Sequence, residues 1–424
     1  MTNYIAKRLR PAARSIMTAW VFTQVVARAD VVLDWNAIMQ STVSGQAPFP
    51  QARFAAITQL AVFEAVNAIR KDYQPYVGTI SAPAGASAEA AAVAAAHAVL
   101  KNYFTASAAT LDAARASSLA ALPDDSARSS GVSVGEMAAA AVLAARGEDG
   151  SAPAQFYVSA TQAPGDWIAT PGCSAAGGAF FNWRNLKPFV LRSSDQFQLD
   201  KPPALTSPRY TTDYNEVKAM GGMSSSLRSQ DRTDVARLYA VVSPVAVWNP
   251  IARQLSVTAG DSLSENARAL ALLNMALSDA AVATFDTKYL YNFWRPETAI
   301  AMGHADDNER TAADPAFRPL ITAPCFPGYP SAHATLSGAA REVLERIYTP
   351  RRRSLVLSHP SVPGIVLSYR KLKEITDDID DARVYGGIHF RFEQDQGAVL
   401  GRRVGEYLIR NSIGFARACD CASR

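Results

Sequence analysis

The sequence predicts an all-α protein: two helix bundles packed together, with the functional site in the C-terminal bundle. Three observations carry this. Apolar residues recur at helical spacing through residues 30–149. Alanine is dense there, which lets helices approach closely, as bundles require. Helical patterning then returns near Thr211 and recurs in separate segments, the last over 390–410. At 424 residues, with 49% hydrophobic and 19% charged, the chain has the balance of a globular protein with ample core, as one large domain or two to three average ones.

Residues 1–29 look like a secretion signal. Lys7, Arg8, Arg10 and Arg14 form a basic start, residues 16–26 a modest apolar stretch, and Ala27-Arg28-Ala29 an A-x-A cleavage site. An exported protein, periplasmic or secreted, is therefore expected; the other reading is a basic amphipathic arm. The apolar run is too short to span a bilayer comfortably, and no later run is read as a span. The segment holds five basic residues and no acidic one, so the formal charge of +4 becomes −1 for a chain starting at Asp30. That balance argues against a nucleic-acid partner, whose phosphates need a basic footprint.

Residues 30–149 are the N-terminal helical bundle region. Val31, Leu33, Trp35, Ile38 and Met39 share one face; Phe54, Ile57, Leu60, Ala61, Phe63 and Val66 share the next. Further helices are expected over 85–104, 106–121 and 130–146, with His97 packed inside the first of these. Residues 150–208 are an irregular connection rich in Gly, Pro and aromatics, with Trp167, Phe180, Phe181 and Trp183. Such a stretch either covers a pocket mouth or is an aromatic-pinned linker. Residues 209–424 form the second helical domain, with helix expected near Thr211, over 231–242, over 272–300 broken only at Pro296, after Ser331, and over 390–410. Arg351, Arg352 and Arg353 suit the surface end of a helix. His304 and His359 have no metal-type partner three or four residues on, so a zinc site is unsupported. Of four cysteines, Cys419 and Cys421 are too close for a comfortable mutual bridge. Cys173 and Cys325 leave the pairing open, and any partner of Cys325 would pin the loop beside it.

Three short blocks converge on one chemistry: KYLYNFWRP from Lys288 to Pro296, FPGYPSAH from Phe326 to His333, and RVYGGIH from Arg383 to His389. Lys288 and Arg295 are seven residues apart, about two helical turns, which puts both cations on nearly one face roughly 10 Å apart. Lys offers a point charge and Arg a planar fork for oxyanions. The surrounding aromatics disfavour a freely solvated basic face, so the pair points to a buried, neutralised anion. In the second block, Pro327, Gly328 and Pro330 forbid helix before Ser331, and apolar residues at helical spacing follow. Ser331, Ala332 and His333 thus sit at a helix N-terminus, where unpaired N–H groups and the dipole favour an anion. Ser331 also fits an N-cap. In the third block Gly386-Gly387 allows a break, so Arg383 can end one helix and His389 begin the next, both pointing inward.

The order K-x6-R-P, P-S-A-H, R-x5-H resembles the signature of the vanadium-dependent haloperoxidases and the type 2 phosphatidic acid phosphatase superfamily, over roughly residues 280–400. The resemblance implies a vanadate cofactor, with phosphate able to occupy the same site. It implies that Lys288, Arg295, Ser331, Ala332 through its N–H, and Arg383 hold the oxyanion. His389 is then the vanadium ligand, or the nucleophile in a phosphatase, and His333 the acid/base; Lys288 also polarises peroxide. Ala332 stands where Gly is usual, Ala382 where Ser is often found, and Glu393 where an Asp is usual; Glu keeps the ability to orient the imidazole. None of these removes an anion-holding charge.

Vanadate mimics phosphate, so the motif alone does not separate oxidase from phosphatase. Phe293-Trp294 before Arg295 resembles the haloperoxidase version of the first block. Phe326 and Phe285 match aromatics on the halide side of the pocket in that family. The favoured expectation is therefore an oxidoreductase that uses hydrogen peroxide to oxidise halide, halogenating a small organic substrate. The alternatives are a soluble acid phosphatase working through a phosphohistidine, and a non-enzymatic exported helical protein with a structural anion.

Overall fold

The computed structural model describes residues 30–348 and 354–416. The expected export segment 1–29, Arg351 to Arg353, Cys419 and Cys421 lie outside the described residues.

Helix starts follow local chemistry. Asp30, Ser87, Asp125, Ser207, Ser229, Ser243, Ser262 and Ser331 each turn a side-chain oxygen onto a backbone N–H of the first turn. The first five long helices are α1 (Val31–Val43), α2 (Pro48–Arg70), α3 (Ala88–Tyr103), α4 (Ala108–Ala120) and α5 (Ser126–Arg146). After the irregular connection come α6 (Pro208–Met220), α7 (Gln230–Val241), α8 (Pro244–Ala259), α9 (Leu263–Tyr291) and α10 (Pro296–Ala301). The remainder is α11 (Ala332–Ile347), a hairpin of β1 (Leu355–Ser358) and β2 (Val366–Tyr369), α12 (Leu372–Tyr385) and α13 (Arg391–Asn411). The hairpin pairs Leu355 with Tyr369 and Ser358 with Val366, antiparallel. Neither it nor α8 was anticipated: four-residue strands carry little periodicity, and Pro250 interrupts the α8 pattern.

The axis of the molecule is α9. It is buried along almost its whole length, from Ala269 to Tyr289, packed by α2, α8, α11 and α13. By length and composition α2 and α9 could each cross a bilayer. This corrects the expectation of no such run; both helices lie in the protein interior. Close approach comes from small residues. A side chain on Gly401 of α13 would overlap the carbonyl of Thr335 on α11.

The helix expected over 272–300 breaks earlier than Pro296. α9 ends at Tyr291, and Asn292 adopts a left-handed conformation (φ 48°) as its C-cap. Arg295 is extended (ψ 154°), because a following proline disfavours helical backbone. Lys288 and Arg295 therefore do not share a helix face; a turn, not a helix, aims the second cation.

Residues 150–208 hold one helical turn, Phe181–Asn185, and lie against the C-terminal half of α9. Trp167 N–H donates to the Asn292 carbonyl, Tyr289 to that of Ala179, and Asp279 of α9 accepts from the N–H groups of Phe189, Val190 and Leu191. A Cys173–Cys325 disulfide joins this segment to the loop before α11. His97 is buried, edge-on to Trp35, with Nε2 2.7 Å from Asp112 Oδ1.

Candidate active site

Lys288 stands in the last turn of α9, fully buried, with Nζ 2.7 Å from the carbonyl oxygens of Pro327 and Gly328. Burial and the neighbouring Arg295 push its ammonium well below the usual lysine range. Arg295, equally buried, donates Nε to the Phe326 carbonyl (2.9 Å) and Nη1 to that of Ile388 (3.0 Å). Both cations lie over the Phe326 ring, at 5.2 and 5.1 Å. The second block supplies these carbonyls. It passes so close that a side chain on Gly328 would overlap the Glu393 carboxylate.

Ser331 caps α11, its Oγ 3.4 Å from Ala334 N, and its own N–H donates to the Glu393 carbonyl (2.9 Å). Ala332 is the first helical residue. His333 follows, partly exposed to a cavity; it hydrogen-bonds the Val242 carbonyl. Burial and the charges of Arg383, Lys288 and Arg295 hold its imidazole well below the usual histidine range, so it is neutral near pH 7.

Arg383 ends α12. The chain reverses through Gly386 and Gly387 (φ 81°), and His389 arrives just before Phe390, the N-cap of α13. Arg383 donates Nη1 to the Tyr239 carbonyl (2.9 Å). His389 Nε2 lies 2.9 Å from Arg295 Nη1, and its Nδ1 2.5 Å from Glu393 Oε2, which also accepts from Phe390 N–H. An arginine only donates, so Nε2 presents its lone pair and Nδ1 carries the proton.

The five Lys, Arg and His side chains of the three blocks thus meet. Burial lowers Arg295 to about 10 and Arg383 to about 9, with Arg295 adding to the latter through repulsion. Burial raises Glu393 to about 8 even though Arg295 and Lys288 oppose it. Two guanidinium nitrogens, Arg295 Nη2 and Arg383 Nε, are buried without an acceptor. A cluster that buries three cations and leaves donors unpaired has the charge and the hydrogen-bond donors to accept a multiply charged oxyanion. Among the described residues no group of three His, Cys, Asp or Glu is set to hold a bare metal cation.

A cavity of about 470 Å3 adjoins this cluster. His333, Ala332, Arg383 and His389 form its polar end; Phe326, Phe49, Phe180 and Leu320 form much of the rest. Phe285 stands one layer behind, with its ring 4.6 Å from Phe49 and 5.4 Å from Phe326. Phe49 from α2 and Phe180 from the irregular connection had not been singled out as pocket residues. The aromatic density of residues 150–208 was the available signal for Phe180; nothing marked Phe49.

Known proteins match this chain in three ways. Residues 268–415 match the family model of the vanadium chloroperoxidase second helical-bundle domain. The vanadium chloroperoxidase of Curvularia inaequalis is 29% identical over 199 residues, 40% of this chain and 32% of that protein, so the match spans about a third of the relative's length. The fold is that of a bacterial vanadium-dependent iodoperoxidase (TM-score 0.76, 24% identity, covering 91% of this chain and 97% of that one). It is also that of a holo-type bacterial vanadium-dependent chloroperoxidase (TM-score 0.70, 16% identity, covering 89% and 98%). The matched domain carries all three sequence blocks, and the fold around it is that of the vanadium-dependent haloperoxidases this chain is similar to.

Proposed function

We propose that the chain is a vanadate-dependent haloperoxidase, which uses hydrogen peroxide to oxidise halide to hypohalous acid and so halogenates organic substrates. The observation that carries this reading is the buried trio Lys288, Arg295 and Arg383, with donors left over, gathered beside an imidazole whose Nε2 lone pair points at the Arg295 guanidinium, where an oxyanion's central atom would take it over. These residues fit vanadate. Arg295, Arg383, Lys288, Ser331 and the Ala332 N–H would hold its oxygens, and His389 would bind the vanadium. When bound, vanadate supplies a Lewis-acidic vanadium(V) centre at which peroxide is activated toward halide.

The chain's own residues do the rest. Glu393 Oε2 fixes the His389 tautomer by accepting Nδ1–H. His333 donates a ring N–H to Val242, which leaves its other ring nitrogen to take a proton from peroxide. Its depressed basicity keeps that nitrogen unprotonated at neutral pH. Lys288 would supply hydrogen-bond donors and positive charge beside peroxide held in the site. Phe326 and the aromatic wall keep water scarce around the halide, with Phe285 backing that wall. The Cys173–Cys325 bond supports export, since disulfides persist in oxidising compartments.

The test is dye bromination by purified protein given orthovanadate, hydrogen peroxide and bromide, beside phosphomonoester hydrolysis without vanadate. Bromination that requires both vanadate and peroxide is expected. Strong phosphate release without bromination under any halide or pH would establish the phosphatase instead. His389→Ala is expected to lose vanadate retention and turnover while keeping its helical circular dichroism; undiminished turnover would remove the ligand role.

A further inference from the structure

His333 faces two cavities. Behind the aromatic one lies a second, of about 410 Å3, sharing with it only Pro48, Ala240 and His333. Its character is opposite. One helix face of α1 (Ala37, Gln40, Ser41, Ser44) supplies an amide and two hydroxyls, and one of α8 (Ala246 and Arg253, two turns apart) supplies a guanidinium; Gln46, Gln51 and Ser243 add further polar groups. Such a volume suits a small organic molecule rather than a single halide ion.

The cation in this chamber is deliberately placed. Arg253 Nη1 donates to Asn36 Oδ1 (2.5 Å) and Gln40 Oε1 (3.1 Å). Asn36 is itself fixed by a buried amide ladder, Asn36 to Asn249 (2.7 Å) and Asn249 to Asn274 (2.9 Å). Among the described residues no carboxylate pairs with Arg253, and burial lowers its affinity for its proton with no charge opposing. Both oxygens that accept from the guanidinium among the described residues, Asn36 Oδ1 and Gln40 Oε1, belong to neutral amides, which leaves its charge for a ligand.

We propose that this polar chamber binds a small organic carboxylate, anchored by Arg253, with its far end at the Ala240–Pro48 wall beside His333. The proposal rests on the haloperoxidase reading and names the substrate class of that site. An electron-rich ring held there meets hypohalous acid as it forms. The ring carbon attacks the halogen, the carbon–halogen bond forms as the halogen–oxygen bond breaks, and the ring proton leaves with the hydroxide as water. The chamber thereby turns a diffusible oxidant onto a bound partner.

The probe is 4-hydroxyphenylacetate, with 4-hydroxyphenylethanol as its uncharged counterpart. Binding is measured by calorimetry on the full protein with no peroxide or halide and with saturating phosphate, which occupies the oxyanion cradle. Wild type is expected to bind the acid roughly tenfold or more tightly than the alcohol. Arg253→Met should remove that preference, and Arg253→Lys should restore part of it. Ala246→Trp, which fills the chamber but keeps the guanidinium, should weaken both ligands. Vanadate-dependent bromination of a neutral dye should be unchanged in Arg253→Met. Equal affinity for acid and alcohol, a preference that survives Arg253→Met, or binding abolished by phosphate would each overturn the proposal. Dye bromination with no carboxylate binding would sink the chamber and leave the haloperoxidase reading standing; carboxylate binding with no bromination would do the reverse.

Discussion

Two groups of buried arginines differ in one respect that separates scaffold from site. Near the junction of α5 and the irregular connection, Arg53 and Arg146 share Asp149 Oδ2 at 2.7 and 3.2 Å. Arg146 also donates to the carbonyls of Lys187 (2.6 Å) and Pro188 (3.1 Å) and lies 4.0 Å over the Phe189 ring. Its Nε lacks a partner, but a carboxylate, two carbonyls and an aromatic face satisfy the group. At the oxyanion cradle, three cations face one carboxylate, Glu393, and that carboxylate is bonded to His389 and to the Phe390 N–H. Two donors remain, and a cavity lies beside them. Buried charge alone is therefore no mark of function; surplus charge facing open space is.

The largest effect that could break this contrast is on folding. Asp149→Ala leaves two buried guanidinium groups uncompensated and should cost about 3–5 kcal/mol in urea unfolding. Arg295→Met, in phosphate-free buffer, relieves repulsion with Lys288 and Arg383 as it removes hydrogen bonds, and should cost clearly less. Equal losses for the two variants would mean that the cradle is ordinary scaffold.

Next in size is the response to anions. Phosphate or vanadate at about a hundred times its dissociation constant should stabilise wild type by about 2.7 kcal/mol. That increment should vanish in Arg295→Met and Arg383→Met and persist undiminished in Asp149→Asn, read as thermal midpoints with and without anion. An increment that survives Arg383→Met would place the anion elsewhere.

How far the sequence foretold this contrast depends on distance along the chain. The three blocks were legible because Pro and Gly force a helix start at Ser331, and because a carboxylate four residues after His389 falls on its ring. The approach of Arg295 is not legible in the same way: helical spacing carries the helix up to Pro296, whereas the left-handed Asn292 and the pre-proline extension at Arg295 redirect the chain. The partner of His333 was not legible at all, since it is the Val242 main-chain carbonyl, which no side-chain pattern announces. Phe49 and Phe180 reach the cavity from residues far upstream, through packing that periodicity does not encode. The scaffold cluster escaped for the same reason, as Arg53 and Asp149 meet across 96 residues.

The smallest expected effect concerns pH, and there the two clusters should carry opposite signs. Burial pushes Asp149 up, but the bond to Arg53 and the charges of Arg53 and Arg146 outweigh it, so its carboxyl sits below the ordinary 3.8. Its contribution to stability is present above that value and is lost as pH falls through the folded one. Glu393 is raised from 4.5 to about 8, so the folded protein keeps a proton that the unfolded chain releases. Its contribution is present below pH 4.5 and is lost as pH climbs through about 8. Urea midpoints of the anion-free protein, taken across both windows, should therefore lose part of their acid-side slope in Asp149→Asn and part of their alkaline-side slope in Glu393→Gln. The alkaline window has a second reading that stability alone lacks. Ionised Glu393 offsets the cradle's charge, so phosphate affinity should fall as pH rises through about 8 in wild type and fall less in Glu393→Gln. Asp149→Asn should leave that profile untouched, because its carboxylate belongs to the cluster that already has its partners.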